Sequence, residues 1–213
     1  MRALYDITRE VSEDTIPWPG EPSFTKTWRW RMEDGSSCNV SAFTMSPHTG
    51  THVDAPSHFD PAGASAESLP LEPFVGPALL VDVSGVELIG PEHVPEEAGE
   101  MGRLIFKTGR PAEAGFDRPF APLSEAAARK VVELGITLVG TDAPSVDALE
   151  SQDLAVHRIL SRGGVCILEN LVLTEVPAGR YWLFALPMKL RGLEASPVRA
   201  VLIAGGDLHT PPY

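Results

Sequence analysis

Short apolar runs, most of them bounded by glycine or proline, recur along the chain at residues 40–45, 78–83, 104–106, 136–139, 165–168, 182–186 and 198–204. Their length and their content of Val, Ile and Leu predict β-strands. Residues 24–32 alternate polar and aromatic positions (Phe24, Trp28, Trp30) and predict a half-exposed strand. Two segments carry helical signals instead. Ser124 is placed to cap a helix over 125–134 that Gly135 ends. A second helix is expected over 151–160, where Leu154, His157 and Leu160 recur at three-residue steps before Gly163 and Gly164. In the second half of the chain strands alternate with helices. That order predicts one α/β domain over residues 1–213, with a mixed sheet and helices packed on one side. The tetrapeptide Asp54-Ala55-Pro56-Ser57 returns as Asp142-Ala143-Pro144-Ser145. Four shared residues read as convergent turn chemistry and not as duplication.

Composition narrows the class. Hydrophobic residues make up 43% and charged residues 22%, the balance of a soluble globular domain and not of a disordered chain. The 19 glycines follow no three-residue period, which excludes collagen. A formal charge of −12 disfavours nucleic acid and anionic membrane as partners. No run of eighteen apolar residues is present, and the first residues lack the apolar core of a secretory signal. The two cysteines, Cys38 and Cys166, lie in apolar surroundings and are expected as reduced, buried thiols. A cytoplasmic location is therefore expected.

The chemistry concentrates in residues 46–60. His48, His52, Asp54 and His58 follow one another at steps of four, two and four. Gly50 and Pro56 prevent one continuous helix through the segment, so two helical turns cannot present the histidines. In an extended chain His52 and Asp54 leave the same face about 6.6 Å apart at Cα, close enough to converge on one ion. His48 and His58 need the bends that Thr49-Gly50-Thr51 and Ala55-Pro56-Ser57 offer. Neutral imidazoles with a carboxylate suit zinc, and manganese accepts the same set. Clustering four such groups with no ion would leave buried polar atoms uncompensated. Further ligands are sought among His157, His93, His209, Glu169 and Asp142; Glu169 ends an apolar strand, a frequent position for function in α/β sheets. His93 reads as a surface loop and His209 as part of a tail.

The stretch from His48 to Phe59, His-Thr-Gly-Thr-His-Val-Asp-Ala-Pro-Ser-His-Phe, resembles the signature of the metal-dependent cyclase-like hydrolases. The resemblance extends to Tyr5-Asp6-Ile7-Thr8, Ile16-Pro17-Trp18-Pro19-Gly20, Gly140-Thr141-Asp142-Ala143-Pro144-Ser145-Val146-Asp147 and Leu168-Glu169-Asn170-Leu171. Within that family the chain is most similar to the bacterial arylformamidases. The resemblance implies a barrel-like mixed sheet with helices outside (the swivelling β/β/α type), a homodimer and two zinc ions per subunit. It assigns His48 and His52 to the first ion, Asp54 and Glu169 to both, and His157 to the second. His58 becomes the general acid/base and Trp18 a wall of the substrate pocket. The implied reaction is hydrolysis of N-formyl-L-kynurenine to L-kynurenine and formate, a step of tryptophan degradation, by attack of a metal-bound hydroxide. Thr49, Thr51 and Asn170 are expected to orient the ligands. The rival readings are another amide hydrolase of the family, such as an isatin hydrolase, and a non-catalytic metal-binding protein on the same scaffold.

Overall fold

The apolar runs at 78–83, 104–106, 136–139 and 165–168 pack as neighbours in one sheet, buried on both faces, which is why they lack polar alternation. The computed structural model describes residues 3–110, 115 and 119–205. In chain order the elements are β1 (Leu4–Asp6), β2 (Thr25–Trp30), β3 (Val40–Thr44), β4 (His52–Asp54), β5 (Val75–Asp82), α1 (Ala98–Met101), β6 (Arg103–Lys107), α2 (Glu125–Glu133), β7 (Leu138–Thr141), α3 (Ala155–Arg162), β8 (Cys166–Glu169), β9 (Gly179–Phe184), β10 (Ala195–Pro197) and β11 (Val201–Ala204). Nine strands form a curled, half-barrel sheet in the order β1-β11-β9-β5-β6-β7-β8-β4-β10. The centre, β5 through β8, is parallel, and the pairings on either side of it are antiparallel. This is the mixed sheet that the sequence predicts.

Successive residues of the central strands point to opposite faces and feed two cores. Leu79, Leu104, Phe106, Val139 and Ile167 join Ala127, Val131, Val156 and Leu160 of the helices. Leu80, Ile105, Leu138 and Leu168 join Ile7, Phe74, Leu183 and Leu202 on the other face. The helices thus cover one side only, as expected. Fully burying one such side chain stabilises by about 1.5–3 kcal/mol.

Ser124 caps α2 by accepting from Ala127 N–H at 3.1 Å. Leu134 closes the helix and Gly135 follows at φ +70°. The second helix begins later than its apolar periodicity suggests. Residues 151–154 form a turn in which Leu154 takes a left-handed φ of +48°, and Ser151 Oγ accepts from Leu154 N–H at 3.2 Å. The helical donors that follow are satisfied by Asp147 rather than by a residue at the helix start.

β2 and β3 form a separate two-stranded ribbon. Residues 24–32 were expected to bury one face, but every residue of both strands is exposed. Trp30 and Phe43 are 59% and 62% exposed, and although Phe24 stacks on Phe43 with ring centroids 6.0 Å apart, the apolar side chains of the ribbon stay largely uncovered among the described residues. Cys166 is buried as expected and Cys38 is exposed, because Cys38 lies in the connection between the ribbon strands. Among the described residues no helix is long and apolar enough to cross a membrane.

Candidate metal centre

β4 is only three residues long, and its antiparallel register on β8 sets His52 directly opposite Glu169. Both strand ends meet at the C-terminal edge of the parallel strands, where the loop after β7 also arrives. Gly50, at φ +74°, turns the chain before β4, and a 3₁₀ turn over Pro56–His58 turns it after. These are the two bends that His48 and His58 require. They bring His48 beside His52, with ring centroids 4.9 Å apart, and His58 beside His48 at 4.4 Å. α3 contributes His157, whose ring centroid is 5.9 Å from that of His58.

Asp54 is the hub. Its Oδ1 is 3.2 Å from His48 Nδ1 and 3.5 Å from His52 Nε2, and its Oδ2 is 3.3 Å from His157 Nε2. Glu169 lies 3.6 Å from His52 Nε2 and 3.5 Å from His157 Nε2. His52, Asp54, His157 and Glu169 are all buried. Ligand atoms of His48, Asp54 and His58 fall within 4.8 Å of one another, and so do those of His52, Asp54 and Glu169. Asp54 therefore belongs to two overlapping clusters.

The outer contacts of these side chains orient them. His52 Nδ1 donates to Gly50 O at 3.0 Å, and His157 Nδ1 donates to Asp147 Oδ2 at 2.6 Å. Each bond turns the Nε2 lone pair inward, toward carboxylate oxygens. Val146 N–H donates to Glu169 Oε1 at 2.7 Å and fixes that carboxylate. Both oxygens of Asp54 are buried, and neither has a hydrogen bond of acceptable geometry among the described residues. Lone pairs thus face lone pairs, an arrangement that asks for positive charge between them.

The protonation energetics carry the same message. Burial would lower His52, but the Asp54 and Glu169 carboxylates push it up to about 9. Desolvation likewise opposes protonation of His157, and Asp147, Asp54 and Glu169 raise it well above the usual imidazole value. Burial would raise Asp54, yet the imidazoles of His157, His48 and His52 hold it well below the usual carboxylate range. A metal ion meets the same demand as a proton, with better geometry. Ligand atoms on a tetrahedral zinc with arms of about 2.0–2.2 Å stand about 3.3–3.6 Å apart. The observed nitrogen–oxygen separations span 3.2 to 3.6 Å. The residues present fit a metal centre.

Beside the centre opens a cavity of roughly 340 Å³ whose lining includes Trp18, His48, His58, Asn170 and Arg9. His58 is exposed at its mouth while its ring rests against His48 and His157. Lost solvation on that side lowers His58 to about 4, so the ring is neutral at neutral pH.

The structure brings together His48, His52, Asp54, His58, His157 and Glu169, and it sets Trp18 on the cavity wall. Asp142 does not join them. Its carboxylate accepts from Thr108 N–H, Thr108 Oγ1 and Gly109 N–H. The two Asp-Ala-Pro-Ser segments thus do different work. His93 belongs to a turn over Pro91–His93 and accepts from Gly90 N–H, while His209 lies outside the described residues. Thr51 does not orient a ligand side chain: it accepts from Arg9 N–H and donates to Asn170 O. Among the described residues Thr49 Oγ1 and Asn170 Oδ1 contact no ligand side chain by a hydrogen bond. The orienting groups are Gly50 O, Val146 N–H and Asp147. Only Asp147 is a side chain that sequence could have flagged, as an acid in the loop preceding α3.

Residues 5–148 match the family described as "Putative cyclase". The chain is 46% identical to a kynurenine formamidase of Salinibacter ruber, over 94% of this chain and 97% of that protein. It is 41% identical to one of Bacillus thuringiensis, over 92% and 95%. Among solved structures it superposes on a predicted metal-dependent hydrolase from Bacillus stearothermophilus with TM-score 0.79 and 31% identity, covering 95% of this chain and 98% of the other. It superposes on isatin hydrolase A from Labrenzia aggregata with TM-score 0.78 and 26% identity, covering 95% and 93%. By sequence match and by fold, the chain belongs to the cyclase family of metal-dependent hydrolases.

Proposed function

We propose that this enzyme is an arylformamidase that hydrolyses N-formyl-L-kynurenine to L-kynurenine and formate, with two zinc ions at the centre described above. The observation that carries the metal centre is the meeting of His48, His52, Asp54, His157 and Glu169 from distant parts of the chain, with imidazole nitrogens turned toward carboxylate oxygens and neither Asp54 oxygen in a hydrogen bond of acceptable geometry among the described residues. The choice of substrate is supported by the formamidase relatives at 41–46% identity.

His48, His52, Asp54, His157 and Glu169 would hold the ions, with Asp54 and Glu169 shared. Bound there, the ions supply Lewis acidity, which polarises the formyl carbonyl and acidifies water. The chain's own residues do the rest. Trp18 offers an aromatic face on which the aryl ring packs. His58 stands at the cavity mouth within reach of the centre, and as a neutral imidazole it accepts a proton from the attacking water. It then returns that proton to the aniline nitrogen as the C–N bond breaks, since an anilide anion is a poor leaving group. Asp147 keeps the His157 lone pair on the ion side throughout.

Two further features belong to the same reading. The ribbon of β2 and β3 presents Trp28, Trp30, Val40 and Phe43 to solvent, which supports a homodimer that buries it. The reduced thiols of Cys38 and Cys166 accord with a cytoplasmic setting.

The test is turnover by zinc-loaded protein of N-formyl-L-kynurenine and isatin side by side. Formate release from the first, far exceeding opening of the second, is expected. Efficient isatin opening with poor formylkynurenine cleavage would favour the isatin-hydrolase reading.

A further inference from the structure

The cavity wall away from the metal ligands carries chemistry that the hydrolytic step does not use. Among the described lining residues Arg9 is the one guanidinium, no lysine is present, and Glu21 is the one carboxylate besides Glu169. A hydrolase of neutral amides needs neither. Each sits on backbone that a hydrogen bond fixes. Arg9 N–H donates to Thr51 Oγ1 at 2.8 Å, and that hydroxyl donates to Asn170 O at 2.7 Å. Arg9 is thereby tied to the residue before β4 and the residue after β8, the two strands that bear His52 and Glu169. Glu21 closes a tight turn, donating its N–H to Trp18 O at 2.9 Å, with Gly20 at φ +95° as such a turn requires. The turn presents the Trp18 ring and the Glu21 carboxylate to the same cavity. Glu21 Oε2 is enclosed there with no hydrogen-bond donor among the described residues. An enclosed carboxylate oxygen without a donor is costly and points to a donor on the ligand.

Resting on the formamidase reading, we propose that Arg9 and Glu21 form a subsite for an α-amino-acid zwitterion, with Arg9 taking the carboxylate and Glu21 the ammonium of the substrate side chain. The guanidinium fork matches a carboxylate in two parallel bonds, and the carboxylate accepts from an ammonium. With the aryl ring on Trp18 between them and the ions, the pair anchors the end of the substrate remote from the scissile bond. Isatin lacks that end, so the subsite separates the two substrate types within one metal shell.

The experiment compares binding of L-kynurenine and of 2′-aminoacetophenone, the same aryl ketone without the amino-acid group, to zinc-loaded protein by titration calorimetry. Wild type is expected to prefer L-kynurenine by at least about tenfold, the contribution of one good charge-assisted bond. R9M and E21Q should each lower that preference by about tenfold, and R9K should restore part of it. Equal binding of the two ligands by wild type would overturn the proposal. So would R9M and E21Q variants that weaken both ligands alike, since that shows that neither side chain reads the amino-acid group. If R9M does not fold, E21Q still decides, because Glu21 Oε2 has no protein hydrogen bond to lose among the described residues. Formate release by wild type is read in parallel. Preference without turnover upholds the subsite and sinks the formamidase reading, and turnover without preference does the reverse.

Discussion

Asp147 joins helix stability to metal affinity, and replacing it separates the two. Its Oδ1 accepts from Val156 N–H at 3.1 Å, and its Oδ2 accepts from His157 N–H at 3.0 Å and from His157 Nδ1 at 2.6 Å. Asp147→Ala removes the helix cap in the presence or absence of metal. Loss of a cap costs about 1–2 kcal/mol, and for a chain of this size each kcal/mol lowers Tm by about 2–4 °C. The metal-free variant should therefore melt about 2–8 °C below metal-free wild type. The metal-loaded protein should lose more. Without Asp147 the His157 ring is free to turn or to move its proton to Nε2, which cancels a ligand lone pair. Removal of such an orienting group typically weakens metal binding about 10–100-fold, worth about 1.4–2.8 kcal/mol at fixed saturating metal. That adds about 3–11 °C to the fall in Tm. The assay is a pair of melts, chelated and zinc-saturated, together with zinc affinity from chelator competition. Equal falls in the two melts with unchanged affinity would refute the reasoning and leave Asp147 as a helix cap alone.

Other outcomes follow from single contacts. His58→Ala should keep its metal content and lose about 10²–10⁴-fold in kcat; elemental analysis showing the metal lost as well would make His58 a ligand, which its place beside His48 and Asp54 permits. Gly50→Ala places a Cβ 2.6 Å from Val11 Cγ2 at a φ of +74°, so denaturant unfolding should show a loss of about 1–3 kcal/mol. Paired Trp30→Glu and Phe43→Glu changes should convert a dimer to monomer in light scattering with the fold intact by circular dichroism, because both side chains already face solvent within one chain; an unchanged mass would remove the ribbon from the interface.

The parallel centre of the sheet was legible because strands buried on both faces read as unbroken apolar runs, as at Leu104 to Phe106 and Val165 to Leu168. α2 was legible from Ser124 and Gly135, whose caps are local. The start of α3 was not, since Asp147 satisfies its first donors from eight residues upstream of Ala155 and apolar periodicity runs on through the Ser151–Leu154 turn. The ribbon misled because its polar–aromatic alternation is that of a strand with one covered face, and nothing local says whether the cover lies in the same chain. At the centre, the histidine spacing indicated His48, His52, Asp54 and His58, while His157 and Glu169 stood among several candidate ligands by type and position until the family resemblance singled them out. Asp142 was a plausible acid by type alone; the Thr108–Gly109 backbone that captures it could not be foreseen from spacing. Arg9 and Glu21 carried no motif, and only the folded cavity places them together.

The central claim is that Asp54 and Glu169 share two ions with His48, His52 and His157. Elemental analysis of protein purified without added metal, beside Asp54→Ala prepared in the same way, tests it most directly. About two ions per wild-type chain are expected, with the variant stripped of both, because Asp54 belongs to each cluster of ligand atoms. Wild type without stoichiometric metal, or a variant that keeps its full complement, would contradict it.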